Sequence, residues 1–468
     1  MPDTASAAPA APLFHNVLDS IGNTPMVEVT KLDRGPCRLF LKLESQNPGG
    51  SIKDRIGKSM IEAAERDGRI KPGGTIIEAT AGNTGLGLAL VAAQKGYRLI
   101  LVVPDKMAQE KIFHLRALGA EVHMTRSDVG KGHPDYYQDM AARLAKEIPN
   151  SFWVDQFSNP ANPLAHETTT GPEIWAQMEH DLDAVVCGVG SGGTINGLGR
   201  YFRKVAPRVE MVLADPKGSV LAEFVKTGKL AKEVGSWLVE GIGEDFMPPN
   251  ANNLEGVGKA YVIDDAEAMT TARALLREEG ILAGSSSGTL LAAALRYCRA
   301  QSEPRRVVTL VCDSGNKYLS KMFNDYWMID QGFIERERHG DLRDLISRRH
   351  QEHATVTIGP DDTLLTAYGR MKLYDISQIP VIDQAGRVAG IVDENDLLLA
   401  VFEDEAHFKD PVRSAMTAKL ETIEARAPLT ALVPILDRGH VAIITEGNSF
   451  LGLITRIDLL NHLRRQMR

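Results

Sequence analysis

Apolar residues along this chain change their spacing in a regular order. From Thr75 onward, short β-branched runs alternate with segments whose apolar residues recur three and four apart. The runs 75–78, 98–103, 121–124, 152–155, 184–187, 209–214 and 306–312 predict strands, and 84–95, 109–118, 136–146 and 194–204 predict helices between them. Strand followed by helix, repeated, predicts parallel sheets covered on both faces, with the chemistry in loops that follow strands. Upstream, Ile52, Ile56 and Met60 predict a helix that Gly68 and Pro72 end. Ser51 and Asp54 have the spacing of a capping box at its start.

The pattern changes after Phe333. Residues 335–353 are dense in arginines and acids and predict an exposed helix or a solvated spacer. Beyond them the chain repeats itself. Gln378-Ile-Pro-Val-Ile-Asp and the run from Arg387 to Asp396 are echoed by His440-Val-Ala-Ile-Ile-Thr and the run from Ser449 to Asp458. Two copies of a strand–strand–helix unit predict a separate, pseudo-symmetric module. The expected organisation is a disordered tail over 1–12, an α/β domain over 13–333, a linker over 334–350 and the repeated module over 351–468, with copies at about 351–403 and 411–468.

Composition narrows the function classes. The chain has 468 residues, enough for two or three domains, and its 53 basic and 61 acidic residues leave a net charge of −8. With no basic run, nucleic acid is excluded as the main partner. Cys37, Cys187, Cys298 and Cys312 are far apart, without a C-x-x-C or a cysteine–histidine cluster. No metal site is expected, and a reducing compartment suits such thiols. The Ala/Pro-rich start lacks the features of a signal peptide, and no apolar run reaches spanning length, so a cytoplasmic protein without membrane contact is expected.

Four positions then carry candidate chemistry. Lys53 follows the glycine-rich turn Asn47-Pro-Gly-Gly-Ser-Ile and opens a helix, where the dipole disfavours a cation. It reads either as a solvated lysine offset by Asp54 or as an amine of lowered pKa that attacks a carbonyl. The loop Thr80-Ala81-Gly82-Asn83-Thr84 could grip a carboxylate with helix-start N–H groups and hydroxyls, or simply cap a helix. Gly188-Val-Gly190-Ser191-Gly192-Gly193-Thr194 holds a literal G-x-G-x-x-G, with Asp215 at the end of the next strand. That is a dinucleotide fingerprint, although the same physics cradles any phosphate ester. In Gly284-Ser285-Ser286-Ser287 one hydroxyl could face a heterocyclic nitrogen. A Schiff-base lysine, an amide, a phosphate cradle and a hydroxyl together are the parts of a pyridoxal phosphate site.

Lys53 stands in one of several recognisable runs along the chain: Pro48-Gly-Gly-Ser-Ile-Lys-Asp-Arg, Leu115-Arg-Ala-Leu-Gly-Ala-Glu, Asn162-Pro-Leu-Ala-His166, Glu240-Gly-Ile-Gly243 and Asp313-Ser-Gly-Asn-Lys-Tyr. Residues 42–333 resemble the cystathionine β-synthase family of pyridoxal-phosphate enzymes, which also holds cysteine synthase. The tail resembles the paired CBS-domain regulatory modules named after that enzyme. The resemblance implies a two-subdomain parallel-sheet fold of the tryptophan synthase β-like type (fold type II), followed by an α+β tandem CBS-domain module. It implies that Lys53 forms the internal Schiff base and moves protons, that Asn83 bonds the cofactor's ring oxygen, that Gly190 to Thr194 hold its phosphate and that Ser286 faces the pyridine nitrogen. Thr80, Ala81, Gly82, Thr84 and Gln156 would hold the substrate carboxylate, and Thr455 with Asp458 an adenosyl ribose. The implied reaction is a β-replacement that joins L-serine or O-acetylserine to L-homocysteine through an aminoacrylate, giving cystathionine in transsulfuration. A cysteine synthase using sulfide, a nicotinamide dehydrogenase and a silent adenosyl sensor are the alternatives. Ala81, Phe157 and Glu244 depart from the family pattern on the substrate side. No haem is expected, because Cys37 is the first cysteine and lies inside the catalytic pattern. A homodimer or homotetramer is implied.

Overall fold

In a computed structural model the described residues are 13–80, 82–105, 109–126, 128–130 and 132–466. The expected tail over 1–12 and the site candidate Ala81 lie outside them. The chain divides into two units, the first ending at Asn324 and the second starting at Asp325.

The first unit holds two sheets. One is built from β1 (Met26–Glu28), β2 (Arg38–Lys42), β7 (Ala184–Cys187), β8 (Glu210–Pro216), β9 (Val257–Ile263) and β10 (Arg306–Leu310), in the order β1-β2-β10-β7-β8-β9. Only its β1–β2 pairing is antiparallel. The other contains β3 (Thr75–Ala79), β4 (Arg98–Pro104), β5 (Glu121–Thr125) and β6 (Ser151–Trp153) in the fully parallel order β5-β4-β3-β6. All seven strands expected from periodicity are present. Three strands lie outside that expectation: β1 and β9 are edge strands with partly exposed side chains, and β2, an interior strand, lies ahead of Thr75, where the alternating pattern begins.

Helix α1 (Lys53–Arg66) leads from the first sheet into the second subdomain and packs on α2 (Asn83–Lys95) through Ile56, Met60, Leu86 and Leu88, all buried. The two helices approach at glycines. A Cβ on Gly87 would lie 2.7 Å from the Lys53 carbonyl oxygen, and one on Gly57 would lie 2.9 Å from the Gly87 carbonyl carbon. This contact sets the height of Lys53.

The capping box expected at the start of α1 does not form. The Lys53 N–H donates to Ser51 Oγ at 3.2 Å, while the Asp54 carboxylate turns back to accept from the Gly49 N–H at 2.5 Å. Asp54 is therefore a clasp for the glycine turn. The helix is anchored instead by Arg55, whose guanidinium donates to both oxygens of Glu44 and both of Glu173. Lys42 Nζ completes this cluster, donating to Glu173 Oε2 at 2.7 Å and to the Thr24 carbonyl.

The second unit contains both repeat copies. In one, strands Gln378–Ile382 and Val388–Asp393 pair antiparallel, with a parallel bridge from Ile358 to Val381. In the other, Thr422–Glu424 pairs parallel with Ala442–Glu446, which pairs antiparallel with Ser449–Ile454. The segment expected as a solvated spacer needs correction. Leu342, Leu345 and Ile346 are buried in one core with Ile423, Leu432, Ile435 and Ile444, so this stretch belongs to the second copy's core. Its dense charges hid three apolar residues spaced for one turn.

Gly87→Val should displace α2 from α1 and destabilise the chain by about 1–3 kcal/mol in denaturant unfolding. Gly199→Ala should leave stability within about 1 kcal/mol of the parent, because the nearest atom to its added Cβ, Met211 Cγ, stands at 4.0 Å. Glu173→Gln should cost about 3–5 kcal/mol at neutral pH by leaving buried Lys42 without its carboxylate and Arg55 with Glu44 alone. Arg55 and Lys42 hold the Glu173 carboxyl down to about 2 against burial, from an ordinary 4.5. A depressed folded pKa gives stability that is complete above 4.5 and lost as pH falls toward 2. The gap between parent and variant should therefore narrow across that interval in pH-dependent unfolding.

Candidate active site

Three loops that leave carboxyl ends of strands meet at Lys53. β3 delivers Asn83, β7 delivers Gly190 to Thr194, and β10 delivers Cys312 and Asp313. The glycine turn before Lys53 is stitched to the last of these: Ser51 bridges Asp313, the Ile52 N–H donates to the Cys312 carbonyl at 2.8 Å, and the Ser314 N–H donates to the Gly50 carbonyl at 3.1 Å. The resulting cavity is lined by Lys53, Asn83, Gly190, Thr194, Ser286 and Cys312, among others. Stretches far apart in sequence thus share one pocket.

Burial lowers the Lys53 pKa, against the weaker opposing pull of Cys312, Glu244 and Asp313. Asp54, its sequence neighbour, turns its carboxyl away to the Gly49 N–H, and burial raises that carboxyl to about 7. Glu244 is likewise raised to about 8 by burial and by Asp245. Burial thus biases the amine toward its neutral, nucleophilic form.

The three serines divide their work. Ser285 Oγ accepts from the Glu240 N–H at 3.1 Å and Ser287 Oγ from the Cys312 N–H at 2.9 Å. Ser286 is the one that lines the cavity, beside the Cys312 thiol, whose pKa burial pushes up to about 12. Both groups are neutral at physiological pH.

Helix Gly193–Val205 opens at the cavity with no acid in its first turn and no side-chain cap on its N-terminal N–H groups. Gly190 and Gly193 of its loop admit no Cβ: one on Gly190 would lie 2.5 Å from the Gly241 carbonyl, and one on Gly193 would lie 1.8 Å from Asn162 Oδ1. Ser191 Oγ accepts from Asn162 Nδ2 at 2.9 Å. Thr194 Oγ1 lies 3.2 Å from His166 Nε2, whose other nitrogen is 3.0 Å from Thr170 Oγ1. Burial holds that imidazole neutral.

In the loop expected to hold the substrate carboxylate, Thr84 Oγ1 donates to Gln156 Oε1 at 2.7 Å, and Thr80 Oγ1 accepts from the Gly82 N–H at 3.2 Å. These four residues stand at the open N-terminus of α2 but do not line the cavity that holds Lys53. Phe157 stacks near Phe246, with ring centres 5.7 Å apart. Asp215 is not free for a ribose: its buried carboxylate accepts from the Ala222 N–H at 2.7 Å, which removes the acidic partner that the dinucleotide reading needs. In the second unit Asp458 accepts from the Thr455 N–H at 2.8 Å, the Thr455 hydroxyl and the Ser347 hydroxyl. Asp393, its counterpart in the first copy, forms a capping box with Asp396.

A family model described as pyridoxal-phosphate dependent enzyme matches residues 17–313, and CBS-domain models match 343–403 and 412–465. A cystathionine β-synthase of Dictyostelium discoideum is 38% identical over 96% of this chain and 92% of its own length. The chain belongs to the cystathionine β-synthase family. A cysteine synthase of Emericella nidulans is also 38% identical, but over only 71% of the chain. The solved structure of an O-acetylserine-dependent cystathionine β-synthase from Helicobacter pylori is 38% identical and superposes with a TM-score of 0.61, covering 66% of this chain and 99% of its own. The dehydrogenase alternative is thereby set aside.

The family's cofactor is pyridoxal phosphate, and the pocket suits it. A bare glycine loop at an acid-free helix start, with one hydroxyl, fits a phosphate monoester. A desolvated amine fits the aldehyde, and a neutral hydroxyl fits a ring nitrogen left without a counter-charge. Sequence reasoning missed Asp313, Lys317 and His166 as site residues. They appear in quoted motif runs, but no periodicity or spacing marks their side chains.

Lys53→Ala should fold, lose the visible absorbance of lysine-linked cofactor and drop turnover by about 10²–10⁴-fold. Absorbance of the purified variant, with circular dichroism as the folding control, checks this.

Proposed function

We propose that this enzyme joins L-serine, or O-acetylserine, to L-homocysteine to give cystathionine, the entry step of transsulfuration. The observation that carries the reading is similarity to cystathionine β-synthases along 96% of the chain, through the CBS pair as well as the catalytic unit. The cysteine synthase likeness covers a smaller share.

Bound pyridoxal phosphate supplies the electron sink that lets the Cβ–O bond of the donor break before a Cβ–S bond forms. The chain supplies the rest. Lys53 Nζ, its pKa lowered by burial, takes the proton from the donor Cα and later returns it. The N–H groups at the start of α2, with Thr80, Thr84 and Gln156, hold the donor carboxylate. Gly190 to Thr194 and the helix they open anchor the phosphate. Ser286, with the un-ionised Cys312 beside it, puts no negative charge against the ring nitrogen and so does not drive its protonation. That restraint favours elimination and replacement at Cβ over transamination.

A cytoplasmic homodimer or homotetramer acting on amino-acid and thiol substrates is part of the same proposal. No helix among the described residues is long and apolar enough to cross a membrane, and all four cysteines are free thiols. In the CBS pair we assign an adenosyl ligand to Thr455 and Asp458, its ribose replacing the Ser347 hydroxyl on the Asp458 carboxylate.

Steady-state assays that pair serine or O-acetylserine with homocysteine or sulfide test the reaction. Homocysteine should give a kcat/KM at least about tenfold above sulfide, a difference near 1.4 kcal/mol in transition-state binding. A higher value for sulfide would make the enzyme a cysteine synthase.

A further inference from the structure

An asparagine amide has two ends of nearly equal size and opposite hydrogen-bonding character. If Asn83 is to donate to a ring oxygen, something must stop it from presenting its carbonyl instead. The two groups that bracket it differ in sign. Lys317 Nζ donates to Asn83 Oδ1 at 2.7 Å, and Asn83 Nδ2 donates to Asp313 Oδ2 at 2.9 Å. A lysine ammonium has no acceptor and a carboxylate has no donor, so the two neighbours reject the flipped amide together. One Nδ2 hydrogen is then left for the cavity that Asn83 lines.

Both brackets are themselves held. Lys317 sits on a short 3-10 turn, Gly315–Tyr318, and its ammonium also reaches the carbonyls of Gly49 at 3.4 Å and Gly50 at 3.3 Å, which occupies its three donors. Asp313 is buried, and its Oδ2 also accepts from the Tyr318 hydroxyl at 2.8 Å. Burial lowers the Lys317 pKa, while Asp313 and Asp54 oppose that shift. The same ammonium therefore touches the amide on one side and the turn that delivers Lys53 on the other.

We infer that Lys317 is a positioning residue that fixes which end of the Asn83 amide faces the cofactor's ring oxygen, through the Lys317–Asn83–Asp313 chain. The inference rests on the reading that Asn83 meets that oxygen. Lys317 does not enter the reaction. It selects the donor face of a residue that does touch the cofactor.

The test uses full-length protein carrying pyridoxal phosphate. Lys317→Met removes the donors with little change of length, Lys317→Arg keeps a cation with N–H donors, and Asn83→Ala removes the amide. The readouts are the visible spectrum of the bound cofactor and its Kd for the apo-protein, with apo thermal unfolding as the folding control. Lys317→Met should shift the balance of the cofactor's absorbance bands in the same direction as Asn83→Ala and raise Kd about tenfold. Lys317→Arg should keep the parent spectrum. A parent-like spectrum and Kd for Lys317→Met, with Asn83→Ala shifted, overturns the inference. Equal disturbance by Met and Arg also overturns it, since that marks a packing role alone. If Asn83→Ala itself leaves the spectrum unchanged, the ring-oxygen reading of Asn83 has failed, and the inference falls with it.

Discussion

The catalytic unit depends on a buried group of four charges. Arg55, two residues beyond Lys53, bridges Glu44 after β2 and Glu173 on the helix Gly171–Gln177, and Lys42 Nζ shares Glu173. Arg55, Lys42 and Glu44 are almost wholly inaccessible to solvent. Two cations and two anions at hydrogen-bond distance balance, so the desolvation that would exclude each singly is offset within the group. A planar guanidinium with its donors filled can adopt few orientations. The first turn of α1 is thereby pinned from both sides, and the lysine on that turn inherits the constraint.

What this rigidity makes possible is a site composed mostly of backbone and neutral side chains. Glycines at 190, 192 and 193 leave no room for a Cβ, so N–H groups line the phosphate end. Ser286, Cys312 and His166 are all un-ionised. Glu244 stands where the family pattern has a tyrosine, and a carboxyl raised to about 8 is, like a phenol, mostly protonated at neutral pH. The departure therefore preserves a neutral group near Lys53, although its chemistry differs.

The second unit follows a different economy. Each copy builds a small core from a few strands, and the copy near the C-terminus recruits Leu342, Leu345 and Ile346 from the charged segment ahead of the first. A three-stranded sheet of such length needs a covering layer to bury its apolar face. Ser347, carried by the same segment, reaches Asp458, so the segment both completes the core and occupies the carboxylate assigned to a ligand.

The linear pattern of this chain determined its strand–helix alternation, the internal repeat and the glycine-rich loops, because periodicity and small residues are local properties. Glycine- and serine-rich loops marked Lys53, Asn83, the loop at Gly190 and Ser286 as candidates. Tertiary structure alone decided which other side chains surround them. Asp54 reads as the partner of Lys53 and is instead turned to Gly49, in a glycine turn that Ser51 bridges to Asp313, just past the carboxyl end of the interior strand β10. Asp215 reads as a ribose ligand and is consumed by the next helix. Lys317 reads as an ordinary lysine, 234 positions from Asn83, yet holds its amide. Charge pairing over such separations has no sequence period. It is set by where strand ends converge, and that is a property of the folded sheets.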